Sequence, residues 1–125
     1  MDQVVLIVED HDDVAALEIA LASLDHIGVL ILSNGLDALK VLRAGSLPLA
    51  AVITDLHLPL VDGFELVAAI RSHQRYAKLP VVVVSGDNHP EVSSRVFQLG
   101  ADAFFAKPYS PVEIRQTVKG LLHVP

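Results

Sequence analysis

Residues 50–63 read AAVITDLHLPLVDG, an apolar run that stops abruptly at Asp55. A short apolar run bounded by turn residues predicts a strand covered on both faces, as in a parallel sheet. Three more runs end in the same manner. QVVLIV at 3–8 leads into Glu9-Asp10, VVVV at 81–84 into Ser85, and AFFA at 103–106 into Lys107. Parallel strands put all these endings on one edge, where open α/β sheets bind ligands. Three carboxylates, a hydroxyl and an ammonium are therefore expected to converge. Acids placed together repel one another unless a cation joins them, and that cation needs an anionic ligand to share.

Along the whole chain, strands are expected near 3–8, 28–33, 49–54, 80–84 and 102–106, with helical spacing near 13–25, 35–44, 63–73, 89–99 and 111–122. Ser110-Pro111-Val112-Glu113 has the form of a capping box with proline at the first helical position. The pairs Asn34/Asp37, Asp62/Glu65 and Asn88/Glu91 repeat the spacing of a capping acceptor followed by an acid. Gly45 and Gly100 sit where C-cap glycines sit. Strict βα alternation with short connections predicts a doubly wound parallel sheet with right-handed crossovers, one α/β domain over residues 1–125.

Composition narrows the function. The chain of 125 residues is 52% hydrophobic, with a mean hydropathy of +0.50, which strands buried on both faces account for. No run reaches the roughly 18 apolar residues of a membrane span, and no basic-then-apolar leader opens the chain. Cysteine is absent, which excludes disulfides and thiolate metal sites and fits a cytoplasmic setting. A net charge of −6 without a Lys/Arg cluster argues against direct nucleic-acid binding.

Asp55 is placed to act as a nucleophile. A carboxylate forms an acyl phosphate when charge at the transferring phosphorus is neutralised. Mg²⁺ suits that task because it prefers oxygen ligands and keeps several waters; Glu9, Asp10 and Asp55 would supply carboxylate oxygens. Lys107 would pair with the incoming phosphate as a mobile point charge, and Ser85 would hydrogen-bond a phosphoryl oxygen. Helix-dipole compensation is the competing account of Glu9 and Asp10, but it leaves Lys107 unexplained. Pro59 and Gly63 read as a rigid turn followed by a close backbone approach.

With these residues in place the chain resembles the receiver domain of the two-component response-regulator family. The resemblance rests on Glu9-Asp10 in LIVED, Asp55 in ITDLHLPLVDG, Ser85 in VVVVSG and Lys107-Pro108 in GADAFFAKPY, and it covers residues 3 to about 122. It implies a flavodoxin-like, three-layer fold with strand order 2-1-3-4-5, two helices on one face and three on the other. It implies that Asp55 accepts a phosphoryl group from a histidine of a sensor kinase or phosphotransfer protein. It also implies a Mg²⁺ or Mn²⁺ site completed by the backbone carbonyl of His57, and a cis Lys107-Pro108 bond. Such a domain assists its own phosphoryl transfer and autodephosphorylation without being a conventional enzyme, and works as a monomer or a phosphorylation-dependent dimer.

The family also implies a switch in which Ser85 moves toward the phosphoryl group and an aromatic on the fifth strand turns inward. That aromatic is Phe104, where many relatives carry tyrosine, so no hydroxyl is present to bond a loop carbonyl. Alternation along AFFA places Phe104 and Phe105 on opposite faces, and a purely structural Phe104 is the alternative. The readout surface for a downstream target or effector domain would be residues 88–120. His57 and Asp87 would set the lifetime of the acyl phosphate. His11, His57 and His89 could ring a transition metal, but solvated loop histidines are the simpler reading. In the first helix Val14, Leu17, Leu21 and Leu24 face the core; Ala15, Ala16, Ile19, Ala20 and Ala22 form a second stripe for the phosphodonor's helical bundle, or are buried more deeply.

Three rivals remain. A haloacid-dehalogenase-type phosphohydrolase would need an aspartate where His57 stands, and a cap domain. A receiver-like interaction module that is never phosphorylated would have no need of all five of Glu9, Asp10, Asp55, Ser85 and Lys107. A flavin or nucleotide binder would need a glycine-rich loop where VEDHDD stands.

Overall fold

The structure, a computed structural model, describes residues 2–10, 14–87 and 89–122. In chain order the elements are β1 (Gln3–Val8), α1 (Ala15–Ala22), β2 (Ile27–Leu32), α2 (Gly35–Ala44) and β3 (Leu49–Asp55). They continue as α3 (Gly63–Ser72), a one-turn 3₁₀ helix (Gln74–Tyr76), β4 (Val81–Ser85), α4 (Pro90–Leu99), β5 (Ala103–Ala106) and α5 (Pro111–Leu122). The strands pair in parallel in the order β2-β1-β3-β4-β5, so the expected topology is observed. Among the described residues, no helix is long and apolar enough to cross a membrane.

Strand alternation divides the core in two. Leu6, Val8, Val52, Val81 and Val83 pack against Leu42 of α2, Leu66 and Ile70 of α3 and Val96 of α4. Val5, Ile7, Ile53, Val82 and Val84 pack on the other face against Leu17 and Leu21 of α1 and Ile114 and Val118 of α5. Each such side chain gains about 1.5–3 kcal/mol from leaving water. Because alternate residues serve opposite faces, a one-residue slip of β1, β3 or β4 would exchange every contact, which pins the register of the strand ends.

The expected caps hold at three helices. Asn34 Oδ1 accepts from the Asp37 N–H (2.8 Å), Asp62 Oδ1 from Glu65 (2.8 Å) and Ser110 Oγ from Glu113 (3.2 Å). Gly45 and Gly100 close α2 and α4 at φ values of 65° and 112°. At α4 the expected Asn88/Glu91 cap is not the N-cap: His89 holds that position without a side-chain cap, and Asn88 lies outside the described residues. Pro90, with φ preset and no N–H to satisfy, fixes the start instead.

Helix α1 is shorter than its periodicity predicts. Ser23 Oγ turns back to the Ala20 carbonyl (2.6 Å), and His26, at φ 64°, leads into β2. Of the expected stripe, Ala15, Ala16 and Ala22 are exposed, as is Ile19 at 72%, while Ala20 is half-buried, so the deeper burial considered for this face is found only in part at Ala20. The 3₁₀ turn was not expected from sequence; Tyr76 anchors it by donating to the Leu42 carbonyl (3.0 Å).

Candidate functional site

Register alone puts Asp55 in the middle of the carboxyl edge. Val8 lies opposite Thr54, so Glu9 leaves β1 level with Asp55; Asp55 in turn lies opposite Val84, and Ser85 opposite Ala106. The Glu9 N–H is held by the Leu32 carbonyl (2.9 Å), and the Lys107 N–H by the Ser85 carbonyl (2.8 Å). One carboxylate oxygen from each of Glu9, Asp10 and Asp55 lies within 4.8 Å of the others; Glu9 and Asp55 are buried and Asp10 is exposed.

As the chain turns out of β3, its own backbone grips the Asp55 side chain. Oδ1 accepts from the N–H groups of Leu56 (2.6 Å) and His57 (3.2 Å). Oδ2 accepts from Lys107 Nζ (2.6 Å), which also donates to Glu9 Oε1 (3.0 Å). The turn can be this tight because residue 63 is glycine. Its N–H donates to the Leu56 carbonyl (2.8 Å), and a methyl group there would drive into the Asp55 carbonyl and to 2.6 Å from Leu56 Cα.

The electrostatics separate the two buried acids. Burial pushes Asp55 up, but hydrogen bonds from Lys107, from Glu9 and from the His57 amide outweigh it and leave its pKa below the usual aspartate value. Burial raises Glu9; Lys107 opposes this, and the hydrogen bond to Asp55 and its charge reinforce it, so Glu9 ends above the usual value. Burial alone would lower Lys107, but its bonds to both carboxylates hold it above the usual lysine value. Asp55 is thus the acid that ionises first, as a nucleophile requires. The donor set is all hard oxygen, which fits a hard divalent cation.

The other expected residues have the following partners. Ser85 is fully buried and its Oγ accepts from the Asp87 N–H (3.0 Å). Asp87 is paired with His89, Nδ1 to Oδ1 at 2.9 Å, which lowers its pKa, with the charge of His57 contributing least. The Lys107-Pro108 bond is cis. Phe104 packs with the α2–α3–α4 core and Phe105 with the α1–α5 core, so alternation assigned their faces correctly. The Pro59 carbonyl accepts from Val61 (2.9 Å) and Gly35 (3.4 Å), tying the turn to α2. The three-acid cluster contains no histidine; His57 and His89 are exposed, and His11 lies outside the described residues.

Several contributors gave no signal in the sequence. The Leu56 and His57 amides that fix Asp55 are backbone groups, which any residue supplies. Leu60, at φ 73° and 75% exposed, centres a γ-turn between Pro59 and Val61, a strained form that no leucine announces. Thr54 is fully buried and donates from Oγ1 to the Asp55 carbonyl (2.8 Å); its place beside Asp55 in the quoted stretch is the only hint.

The chain matches the family model described as "Response regulator receiver domain" over residues 5–119. It is 34% identical over 118 residues to the transcriptional regulatory protein GltR of Pseudomonas aeruginosa, covering 94% of this chain and 48% of that protein. The chain thus spans about half the length of that relative. Among solved structures it resembles the Mn²⁺-bound form of response regulator Rcp1 (TM-score 0.80, 25% identity, 95% of this chain and 91% of that one). It also resembles the phosphorylated cyanobacterial phytochrome response regulator RcpA (TM-score 0.82, 26% identity, 97% of this chain and 91% of that one).

Proposed function

The chain belongs to the response regulator receiver domain family, and from that premise we propose that Asp55 accepts a phosphoryl group and that the chain works as a phosphorylation-dependent switch. It is a receiver domain of two-component response regulators. One observation carries the proposal: an ionised, buried Asp55 that touches Lys107 and lies beside Glu9 and Asp10.

The phosphodonor is a phosphohistidine of a sensor kinase or phosphotransfer protein. A carboxylate oxygen of Asp55 bonds to phosphorus as the bond to the donor's imidazole nitrogen breaks, and the imidazole takes a proton from solvent. Glu9, Asp10, Asp55 and the His57 carbonyl would hold Mg²⁺ or Mn²⁺, which would supply charge neutralisation at the transferring group. Lys107 turns from the Asp55 carboxylate to the new phosphoryl oxygens, and Leu56 and His57 keep the acceptor oriented. The Mn²⁺-bound and phosphorylated relatives support both halves of the proposal.

The added charge, about −2, then draws the Ser85 hydroxyl to a phosphoryl oxygen. The Asp87 N–H bonded to Ser85 couples this movement to the loop before α4, and Phe104 turns into the space left. The changed surface of α4, β5 and α5 meets a downstream target or effector domain, as a monomer or a phosphorylation-dependent dimer in the cytoplasm. The exposed stripe on α1 (Ala15, Ala16, Ile19, Ala22) receives the donor's helices. His57 and Asp87 govern autodephosphorylation. The test is intact-mass measurement after incubation with acetyl phosphate and Mg²⁺: wild type gains one phosphoryl group and Asp55→Asn gains none. Equal gain in both would overturn the assignment.

A further inference from the structure

Asp87 is held at the mouth of the site by more than its own backbone. Its Oδ1 accepts from the His89 N–H (3.3 Å) and from His89 Nδ1 (2.9 Å), while its N–H donates to the buried Ser85 Oγ (3.0 Å). An ionised carboxylate only accepts, so His89 Nδ1 carries the proton. The side chains are exposed, His89 at 72% and Asp87 at 36%, and exposed pairs of this kind add only about 0–1 kcal/mol to folding. The contact therefore does little for stability. Its geometric effect is definite: one carboxylate oxygen is occupied and the side chain is fixed in the loop that follows Ser85.

We propose that His89 is a positioning residue for the hydrolysis of phosphorylated Asp55, acting through Asp87. This rests on Asp55 being the phosphoacceptor. With Oδ1 engaged by His89, Asp87 Oδ2 is left to accept a hydrogen bond from a water and aim it at phosphorus. The water oxygen bonds to phosphorus as the bond to the Asp55 oxygen breaks. Asp55 leaves as carboxylate and both water hydrogens depart on dihydrogen phosphate, so Asp87 ends the step unchanged. His57 follows Asp55 by two positions in the loop after β3, as Asp87 follows Ser85 in the loop after β4, so the water path is assigned between the two loops. Without His89 the Asp87 side chain samples other rotamers and the water is aimed less often.

The experiment loads wild type, His89→Ala, His89→Asn, Asp87→Ala and the Asp87→Ala/His89→Ala double variant from phosphoramidate with Mg²⁺, then follows loss of the phosphoryl group after the donor is removed. His89→Ala should slow the decay about three- to tenfold, and the double variant should decay no more slowly than Asp87→Ala, because coupled residues are not additive. His89→Asn, which puts an amide N–H near the place of Nδ1, should restore at least half of the lost rate. In metal-free protein, nitrogen NMR of the His89 ring should show a protonated Nδ1 whose signal shifts in Asp87→Ala. Wild-type decay in His89→Ala, a further slowing in the double variant, or an Nδ1 signal indifferent to Asp87 would each overturn the inference while leaving Asp55 as acceptor. A wild type that takes no phosphoryl group would overturn both.

Discussion

Lys107 Nζ stands 2.6 Å from Asp55 Oδ2, reaching from the end of the edge strand β5 across β4 to the last residue of β3. The same ammonium is 3.0 Å from Glu9 Oε1. One cation thus balances two buried acids, and several properties follow.

Removing it exposes their repulsion. Lys107→Met should cost about 3 kcal/mol at pH 7 in metal-free protein, the scale for breaking a buried pair. Lys107 is raised in the folded state, so its contribution is complete below the unfolded pKa of about 10.4 and is lost as pH rises through the folded value. Asp55 is depressed, so its contribution is present above about 3.9 and is lost as pH falls through the folded value. Glu9 is raised and takes up a proton first as pH falls. The deficit of Lys107→Met should therefore shrink between pH 7 and pH 5. Urea unfolding of both proteins at the two pH values measures it, and an equal deficit would count against the pairing.

Divalent metal should stabilise the fold through the carboxylates. At a Mg²⁺ concentration ten times the dissociation constant the gain is about 1.4 kcal/mol, or roughly a 4–6 °C rise in melting temperature, reversed by chelation. Asp10→Asn should lose most of that rise and keep the metal-free melting temperature within about 2 °C, since Asp10 is exposed. A full rise in Asp10→Asn would remove Asp10 from the site.

Gly63→Ala should be among the most damaging single-methyl changes in the chain. The new Cβ would meet the Asp55 carbonyl and Leu56 Cα, both backbone. Relief requires moving the turn that carries Asp55, so a loss of about 2–3 kcal/mol should come with slower phosphorylation. A stable variant with normal phosphorylation would show that the turn has slack.

Arg71 is a clamp that reaches four groups. Nε donates to the Gly100 carbonyl (2.9 Å), Nη1 to the carbonyls of Tyr76 (3.1 Å) and Leu79 (2.7 Å), and Nη2 to Asp102 Oδ2 (3.0 Å), which also accepts from the Val81 N–H (2.8 Å). Arg71→Ala should cost about 2–4 kcal/mol by thermal or urea unfolding. Arg71→Lys should recover less than half, because an ammonium cannot reproduce the fork. Full recovery by lysine would reduce the clamp to a charge effect.

The strands were legible because each is an apolar run with a polar stop, and the stops of β1, β3 and β5 supply the acidic cluster and its lysine. Glu9, Asp10, Asp55, Ser85 and Lys107 needed only parallel alignment to be brought together. The Arg71 clamp was not legible: three of its four partners are carbonyls, and the fourth is 31 residues away. The γ-turn at Leu60 and the early end of α1 at Ser23 were hidden for a similar reason, since both depend on local hydrogen bonds to backbone carbonyls that leave apolar spacing unchanged. In sequence His89 reads as a solvated loop histidine; its bond to Asp87 spans two positions, a spacing that carries no periodic signal.

Under the proposed function the phosphoryl group resides on the Asp55 carboxylate. Borohydride reduces an acyl phosphate to an alcohol and leaves free carboxylates and phosphoserine intact. Wild-type protein loaded from acetyl phosphate, reduced and sequenced by tandem mass spectrometry should show the aspartate-to-homoserine mass change at position 55 and nowhere else. Reduction at Glu9, Asp10 or Asp87, or none at position 55 in protein that has gained the phosphoryl mass, would contradict it.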